Sequence, residues 1–457
     1  MQFLNQTDTI CALSSAPGMG AIALIRLSGK DAMSIVESIF TKSLASQKTH
    51  TAHFGRIHKD DNIIDEVVVT LYKNPGSFTG EDIVEIACHG SVYIQEQILK
   101  LLIQKGARMA GPGEFSLRAF MNGKMDLSQT EAIADLISST SKAAHKVAMH
   151  QMRGGFSSEI NELREGLISF ASLVELELDF SQEDVEFADR QQLRELVEQV
   201  NAKVSSLLHS YKLGNVIKNG VPVAIVGSPN AGKSTLLNAL LNEEKAIVSD
   251  IAGTTRDVIE DTIVLNGVEF RFIDTAGIRE TEDIIENLGI KRAYDQIKKA
   301  AIILLLIDLT EMSEDFVLQQ IATFEKSVNL EEQDFIPIFN KVDQVDLKQY
   351  QKLTEKGLFI SAKTKDNLED LVNRLAATVG NVHEGDQTIV TNARHYEILL
   401  KCKESLVKVE EGLEMEIPGD LLAMDIRETL HHLGEITGQI TTDDLLGNIF
   451  ANFCIGK

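Results

Sequence analysis

The sequence predicts a multidomain α/β protein, in which an α/β domain is inserted into an all-α helical domain that follows an N-terminal α+β domain. Short apolar runs broken by Gly and Pro fill the N-terminal quarter, and strand and helix patterns alternate in the middle, with helical periodicity on both sides. The length of 457 residues also suits about three domains. The predicted segments are 1–122 (N-terminal domain), 123–217 (helical, first part), 218–380 (inserted α/β domain) and 381–457 (helical, second part).

The composition narrows the classes of function open to the chain. Lys plus Arg number 44 against 68 Asp plus Glu, a formal net charge of −24, so a nucleic-acid partner has to bind at a local basic patch. The four cysteines form no C-x-x-C pair, which argues against a disulfide framework and a thiolate zinc site. No stretch approaches the roughly 18 apolar residues of a membrane helix. The sequence therefore predicts a cytoplasmic protein that does not insert into a membrane.

The predicted elements follow the chain in order. In the N-terminal domain, apolar runs at 22–25 and 66–70 predict strands. The pattern Ser128-Gln-Thr-Glu131 predicts a capping box at a helix start, and an apolar stripe predicts a long helix over 159–180. Helical spacing returns in the C-terminal segment at Leu421, Leu422, Ile426, Leu430 and Leu433.

The strongest chemical signal is a phosphate-binding loop. The segment Gly227-Ser-Pro-Asn-Ala-Gly-Lys-Ser234 follows an apolar run and precedes a helical run, which is the strand, loop and helix context that a P-loop requires. Backbone N–H groups of such a loop bind phosphate oxygens, Lys233 reaches the outer phosphates, and the Ser234 hydroxyl binds Mg²⁺. The predicted contacts are Asn230, Ala231, Gly232, Lys233, Ser234 and Thr235.

Three further motifs identify the nucleotide as GTP. In Asp274-Thr-Ala-Gly277 the Asp can hold Mg²⁺ through water, and the Gly N–H can contact the γ-phosphate. Asn340-Lys-Val-Asp343 supplies a carboxylate that can accept both N–H donors on the Watson–Crick edge of guanine, and Ser361-Ala-Lys363 supplies a second contact to the base. With a strand before each, these motifs predict a Ras-like P-loop G domain. Their predicted nucleotide contacts are Asp274, Thr275, Ala276, Gly277, Asn340, Lys341, Asp343, Ser361, Ala362 and Lys363.

The hydrolytic residues differ from those of Ras-like proteins. Ile278 occupies the position where those proteins have a water-orienting Gln, so this chain must hydrolyse GTP in another way. The segment Gly253-Thr-Thr-Arg-Asp257 lies between the phosphate loop and Asp274, where a switch loop closes over the γ-phosphate. Thr255 in that segment is the candidate second Mg²⁺ ligand.

The motifs together resemble one family along the whole chain. The P-loop, the G-T-T-R-D segment and D-T-A-G-I-R occur with Ser77-Phe-Thr-Gly-Glu-Asp82, Gly111-Pro-Gly-Glu-Phe-Ser116 and the ending Phe453-Cys-Ile-Gly-Lys457. This combination resembles the MnmE (TrmE) family of tRNA-modification GTPases. Many GTPases share the central motifs, whereas few carry these N-terminal segments and this ending.

The resemblance implies a K⁺ site beside the nucleotide phosphates. In the family, the Asn of the phosphate loop coordinates K⁺, and a loop that aligns with 249–254 wraps the ion. The cation would lie where an arginine finger stabilises the transition state in other GTPases. The implied K⁺ contacts are Asn230, Ser249, Ile251 and Thr254.

The resemblance also implies the catalytic acid. The family's catalytic Glu aligns with Glu286, which would orient the attacking water, while Lys233 contacts the reacting phosphates. From the residues alone, Glu286 is one acid in a cluster with Glu280, Glu282 and Asp283, and such a cluster is typical of a solvated loop.

For the N-terminal domain, the resemblance implies binding of a reduced folate, either 5,10-methylenetetrahydrofolate or 5-formyltetrahydrofolate. A carboxylate facing a pterin can accept paired N–H bonds, and Arg or Lys suits a glutamyl carboxylate, although each such residue is otherwise typical of a surface ion pair. Cys454 is equally consistent with a functional thiol and a buried inert one, and His89 is expected to be structural rather than a base. The implied folate contacts are Arg26, Glu85, Lys124 and Lys457.

The leading interpretation is a K⁺-activated GTPase that helps to install a (carboxymethyl)aminomethyl group at C5 of the tRNA wobble uridine. The resemblance implies a homodimer joined through N-terminal domains, G domains that meet across the nucleotide, and a heterotetramer with the FAD-dependent, NADH-using partner MnmG. Two alternatives remain open. One is a regulatory or ribosome-assembly GTPase that modifies no substrate, and the other is a folate-dependent transferase gated by its G domain.

Overall fold

The computed structural model describes residues 8–179, 190–241, 247–248, 261–273, 300–326, 333–378, 388–451 and 453–456. The chain divides into two compact units. One contains Met1–Ile137, His150–Asn201 and Ile398–Lys457, and the other contains Ser138–Met149 and Ala202–Glu397. These two units do not correspond one to one with the four segments given by the sequence, so the segment boundaries stay predictions.

The first unit begins with a six-stranded sheet in the spatial order β3-β4-β5-β2-β1-β6. Neighbouring strands are antiparallel except for the parallel pair β1 and β6. The strands are β1 (Ile10–Leu13), β2 (Ile22–Ser28), β3 (Thr51–Lys59), β4 (Asn62–Tyr72), β5 (Ile83–His89) and β6 (Arg108–Met109). The helices among them and directly after them are α1 (Ala32–Glu37), α2 (Val92–Gln104) and α3 (Glu114–Met121).

Alternation along the strands decides which face of this sheet is buried. Ile25 and Leu27 on β2 and Val84 and Ile86 on β5 pack in one core, together with Ile98 of α2. The residues between them in sequence point to the opposite face, since successive side chains of a strand alternate. This opposite face carries the Arg26–Glu85 pair directly across from each other, and the strands predicted at 22–25 and 66–70 are confirmed.

Four helices follow, and the first begins earlier than its sequence pattern suggests. They are α4 (Leu127–Ser138), α5 (Lys142–Met152), α6 (Gly155–Asp179) and α7 (Arg190–Asn219). The capping box is formed by Asp126 and Gln129 rather than by Ser128: the Gln129 N–H donates to Asp126 Oδ1 and the Asp126 N–H donates to Gln129 Oε1, both at 2.9 Å. Ser128 instead donates its hydroxyl to Asp126 Oδ1 at 2.9 Å, so it supports the cap.

The second unit contains a seven-stranded sheet in the order β13-β12-β11-β7-β10-β9-β8. The first five strands in this order are parallel to one another. The strand β9 is antiparallel to β10, and β8 is antiparallel to β9. The Asn266-Gly267 turn joins β9 to β10 with positive φ at both residues, as a type I′ hairpin requires. The elements are β7 (Val221–Gly227), α8 (Lys233–Leu241), β8 (Ile247–Val248), β9 (Asp261–Leu265), β10 (Val268–Phe272), β11 (Ile302–Asp308), α9 (Glu314–Glu325), β12 (Asp334–Asn340), β13 (Leu358–Phe359) and α10 (Leu368–Thr378).

In the described residues from 388 onward, the helices are α11 (Ala393–Glu414), α12 (Gly419–Thr437) and α13 (Asp443–Ala451). Within the first unit, α12 packs along α6. Most of the predicted apolar stripes are buried there, including Ile160 and Leu167 on α6 and Ile426 and Leu433 on α12. Leu421, which the spacing also places on the stripe, is exposed.

Candidate functional site

The phosphate loop connects a buried strand to a helix, as the sequence predicts. β7 ends at Gly227 and α8 begins at Lys233, with Asn230 and Gly232 between them at φ +63° and +99°. A Cβ on Gly227 would lie 2.3 Å from the Leu306 carbonyl oxygen, so only Gly fits against β11. The loop is therefore fixed by the strand beside it.

Lys233 folds back over the loop. Its Nζ donates to the carbonyl oxygens of Gly227 and Ser228, each at 2.9 Å. Burial lowers the pKa of this ammonium group. Ser234 follows in the first turn of α8 and is half-buried, while Thr235 is exposed. A hydroxyl next to an ammonium group at the start of a helix is an arrangement that fits an Mg²⁺-bound phosphate chain.

A buried asparagine joins the phosphate loop to the two predicted base motifs. Asn340, at the end of β12, donates from Nδ2 to the Ala231 carbonyl at 2.8 Å, and its Oδ1 accepts from the Ala362 N–H at 3.0 Å. Asn340 is 2% exposed. The Asn340 side chain thus bonds one backbone group of the phosphate loop and one backbone group of the Ser361-Ala-Lys363 motif. It therefore holds these two segments in a fixed relation.

The predicted guanine reader is positioned by the third motif. Ser361 Oγ donates to Asp343 Oδ1 at 2.7 Å, and this hydrogen bond lowers the pKa of the carboxyl. Asp343 and Lys363 are exposed, so their side chains are open to a ligand. The structure therefore brings Asn340, Asp343, Ser361 and Ala362 together beside Ala231.

One residue at this edge is missed by sequence reasoning. Asp308, at the end of the fully buried strand β11, forms an ion pair with Lys341, whose backbone has a positive φ of +66°. Burial raises the pKa of Asp308, but hydrogen bonds from Lys341 and Thr310 outweigh it and the net pKa is lowered. The sequence signal that could have identified Asp308 is its position directly after six apolar residues. Such an acid lies at the carboxyl end of a parallel strand, where ligands bind.

We expect Asn340→Ala to destabilise the second unit strongly. The change would leave the buried Ala231 carbonyl and Ala362 N–H without partners, at about 1–3 kcal/mol each. Thermal unfolding of the purified full chain measures the loss. Asn373→Ala removes an exposed 3.3 Å hydrogen bond with Asn266 and is the matched control, expected to change stability by less than about 0.5 kcal/mol. Equal melting temperatures for both variants would contradict the structural role of Asn340.

Several predicted site residues lie outside the described residues. They are Ser249, Ile251, Thr254, Thr255, Asp274, Thr275, Ala276, Gly277, Glu286 and Lys457. Of the implied K⁺ contacts, only Asn230 is described, at its positive φ in the phosphate loop.

The predicted folate residues Arg26 and Glu85 form a partly buried ion pair in the first unit. Arg26 Nη2 lies 2.7 Å from Glu85 Oε1, and Nε donates to the same oxygen at 2.9 Å. The guanidinium lies 5.6 Å from the ring centre of Phe78 and 5.8 Å from that of Phe115, within the range of cation–π contacts. Burial and the Glu85 carboxylate raise the pKa of the neighbouring Tyr72. An arginine, a carboxylate and aromatic faces in one place fit a flat heterocycle with charged groups.

The two N-terminal motifs that carry these rings are tied together by Arg118. Its Nη2 lies 3.0 Å from Glu114 Oε1 in the G-P-G-E-F-S motif, and its Nη1 lies 3.1 Å from Glu81 Oε2 in the S-F-T-G-E-D motif. Asp8 pairs with the same guanidinium at 2.9 Å. Arg118 and Glu114 are buried. This network fixes the loop of Phe78 relative to the helix of Phe115.

Lys124 and the C-terminal tail reach the same region of the first unit. Lys124 Nζ donates to the Pro75 carbonyl at 3.0 Å, at the start of the loop that carries Phe78. Ile455 forms a bridge with Pro112, and the Ser14 hydroxyl donates to the Gly456 carbonyl at 3.0 Å. Cys454 in this tail is exposed. Residues Ile455 and Gly456 of the tail therefore lie beside β1 and the G-P-G-E-F-S motif.

The parts of the chain that the structure describes contain neither a membrane-spanning helix nor a cluster of metal ligands. No helix there combines the length and apolar character needed to cross a bilayer. No group of three or more His, Cys, Asp or Glu side chains there is arranged to hold a metal ion.

Comparisons with known proteins cover nearly the whole chain. A family model described as "MnmE helical domain" matches residues 127–454, and one described as "GTP-binding protein TrmE N-terminus" matches residues 9–124. The "tRNA modification GTPase MnmE" of Flavobacterium johnsoniae is 53% identical over 99% of this chain and 100% of that protein. The proteins of the same name from Christiangramia forsetii and Bacteroides thetaiotaomicron are 54% and 52% identical, again over 99% of this chain and 100% of theirs.

Proposed function

Since this chain belongs to the MnmE family of tRNA modification GTPases, we propose that it is a K⁺-activated GTPase that, with a flavoprotein partner, installs a (carboxymethyl)aminomethyl group at C5 of the tRNA wobble uridine. A one-carbon folate supplies the carbon. The observation that supports GTP as the nucleotide is the junction of three motifs at Asn340, with Asp343 held by Ser361 beside it.

In the proposed reaction, each residue of the G domain has one task. Asp343 accepts the two N–H donors of guanine, and the loop 230–235 binds the phosphates with Lys233 on the outer ones. Glu286 orients the attacking water in place of the Gln of Ras-like proteins.

Two cations would be held in the same site. Ser234, Thr255 and Asp274 are the proposed Mg²⁺ residues, and Asn230, Ser249, Ile251 and Thr254 are the proposed K⁺ residues. When bound, these cations supply positive charge opposite the phosphoryl group that is transferred.

The proposed folate site is built around the Arg26–Glu85 pair. The Arg26 guanidinium lies over the rings of Phe78 and Phe115 and is bound by Glu85, so it has a fixed direction. Lys124 lies on the neighbouring loop, and Lys457 follows the tail residue Gly456 that is bound by Ser14. We assign 5,10-methylenetetrahydrofolate or 5-formyltetrahydrofolate to this site, with the Arg and Lys groups toward the carboxylates of the ligand.

Arg26→Ala should weaken folate binding about 10- to 100-fold, because a charge-assisted hydrogen bond is worth about 1.5–3 kcal/mol. GTP hydrolysis should stay within about twofold, since the G domain is left unchanged. Titration of 5-formyltetrahydrofolate into the purified full chain measures the affinity. Arg56→Ala breaks an exposed ion pair with Glu66 on the same sheet and is the matched control. Equal folate affinity in both variants would remove Arg26 from the site.

The proposed assembly follows from the same family membership. It is a homodimer joined through N-terminal domains, whose G domains meet across the nucleotide, and it forms a heterotetramer with FAD-dependent MnmG. A formal charge of −24 suits a subunit that leaves much of the tRNA contact to its partner.

The proposed compartment is the cytoplasm. Cys11, Cys88 and Cys402 are buried free thiols, and burial raises their pKa to about 11, 11 and 12. Inert buried thiols without disulfides suit a reducing environment.

The tRNA nucleosides of a deletion strain test the proposed function. We expect loss of the C5-aminomethyl group at the wobble uridine, with restoration by the intact gene. An unchanged nucleoside profile would overturn the proposal and favour a regulatory or ribosome-assembly GTPase.

A further inference from the structure

The helix α5 carries basic side chains without acidic ones, in a chain that is strongly acidic. No Asp or Glu occurs between Asp135 and Glu159, although the chain contains 68 of them. Lys142, His145 and Lys146 lie in this interval, and all three belong to the second unit. The first two turns of α5 are therefore a locally positive element of a protein whose formal net charge is −24.

The three basic side chains share one face of α5, and that face is open to solvent. Lys142, His145 and Lys146 are exposed. Ala143 and Ala148, which lie on the other side of the helix, are 6% and 4% exposed. Side chains three and four residues apart on a helix are neighbours, with about 5–6 Å between their Cβ atoms. The three side chains therefore form one cluster, which we call the α5 basic face.

The start of α5 is held in place without neutralising this face. The Thr140 hydroxyl donates to the Glu269 carboxylate, and a Cβ on Gly267 would lie 3.7 Å from Lys142 Cβ, so the helix begins beside the β9–β10 hairpin. Glu269 is half-buried and bound by Thr140. Within the part of the chain that the structure describes, neither Lys142 nor Lys146 forms an ion pair. Both ammonium groups are therefore available to an external anion.

The chemistry of the face fits the phosphates of a nucleic acid. Lysine binds phosphate as a point charge, and such contacts position a nucleic acid without reading its sequence. The net negative charge of the chain repels a polyanion, so a contact has to be made at a local positive element. The polyanion that the proposed function supplies is the tRNA.

We propose that the α5 basic face binds the phosphate backbone of the tRNA whose wobble uridine is modified; this inference rests on the proposed function. Lys142 and Lys146 contact neighbouring phosphates of one strand, and an N–H of the His145 ring donates to a phosphate oxygen beside them. These contacts hold the tRNA against this subunit and add no preference for particular bases.

The test is titration of labelled tRNA into the complex of the full chain with its flavoprotein partner, at several KCl concentrations. The double variant Lys142→Ala plus Lys146→Ala should bind tRNA about tenfold or more weakly at about 50 mM KCl, because two phosphate contacts are lost. The slope of log affinity against log salt should become shallower by about 1–2. Lys142→Arg plus Lys146→Arg keeps both charges and should bind as the parent does.

Two ion-paired lysines provide the matched control. Lys352 Nζ lies 3.0 Å from Asp315 Oδ1, and Lys408 Nζ lies 2.7 Å from Glu428 Oε2. Lys352→Ala plus Lys408→Ala removes the same charge from the chain, and tRNA affinity should stay within about twofold. Both double variants change exposed side chains to a strong helix former or act outside the core, so their melting temperatures should match that of the parent.

A second measurement needs no substitution. Bound tRNA should protect Lys142 and Lys146 of the parent complex from acetylation by an amine-reactive reagent. Lys352 and Lys408 should react equally with and without tRNA.

Three results would overturn the inference. One is parent-like affinity and salt slope in Lys142→Ala plus Lys146→Ala, and another is acetylation of both lysines at the same rate with tRNA bound. The third is a variant that loses affinity for the flavoprotein partner while its assembled complex binds tRNA normally, because the face would then be a protein interface. If the parent complex itself binds no tRNA, the proposed function fails instead.

Discussion

Asp343→Asn will convert the chain from a GTP-binding to a xanthosine-triphosphate-binding protein. The carboxylate is predicted to accept two N–H bonds from guanine, and an amide supplies one acceptor and one donor, which matches the N–H and carbonyl of xanthine. The amide keeps one acceptor, so one charge-assisted hydrogen bond of about 1.5–3 kcal/mol is replaced by a contact between two donors, and GTP affinity should fall by at least about 10- to 10²-fold. Titration of GTP and of xanthosine triphosphate into the purified chain measures the two affinities and so the change in preference.

The position is suited to this substitution because its side chain is already oriented. Ser361 Oγ donates to Asp343 Oδ1 at 2.7 Å, and an amide oxygen can accept the same bond. Asp346→Asn, at a nearby Asp that caps the Lys348 N–H at 3.1 Å, is the matched control. A variant at Asp343 that keeps its preference for GTP would show that another residue reads the base.

Glu286→Ala should lower GTP turnover by about 10²-fold or more and leave GTP affinity nearly unchanged. The proposed role of Glu286 is to position water, which contributes in the transition state rather than in nucleotide binding. Single-turnover hydrolysis in K⁺, combined with a nucleotide titration, separates the two quantities.

Neighbouring acids provide the controls for that experiment. Glu280→Ala and Glu282→Ala remove the same charge from the same segment, and both should hydrolyse GTP at near the parent rate. Equal losses in all three variants would mean that the segment acts through its charge. Normal turnover in Glu286→Ala would end the assignment.

Local patterns in the sequence were sufficient for the framework of the fold. The phosphate loop between β7 and α8, the Asn266-Gly267 hairpin and the helical stripe of α6 each depend on residues close in sequence. Backbone propensity and alternation decide such features, so the pattern predicts them.

Contacts between distant segments were not predictable in the same way. The ion pair of Lys341 with Asp308 and the contacts of Arg26 with the rings of Phe78 and Phe115 join residues that are far apart in the chain. For His89, only the structure shows that the buried carboxylate of Asp65 binds its exposed ring.

Steady-state GTP hydrolysis by the purified chain in K⁺ and in Na⁺, at equal ionic strength, tests the central claim most directly. In the proposed site, a K⁺ ion bound by Asn230 and the switch loop takes the place of an arginine finger. We therefore predict that GTP hydrolysis is at least about tenfold faster in K⁺ than in Na⁺. Equal rates in the two salts would contradict a K⁺-activated mechanism.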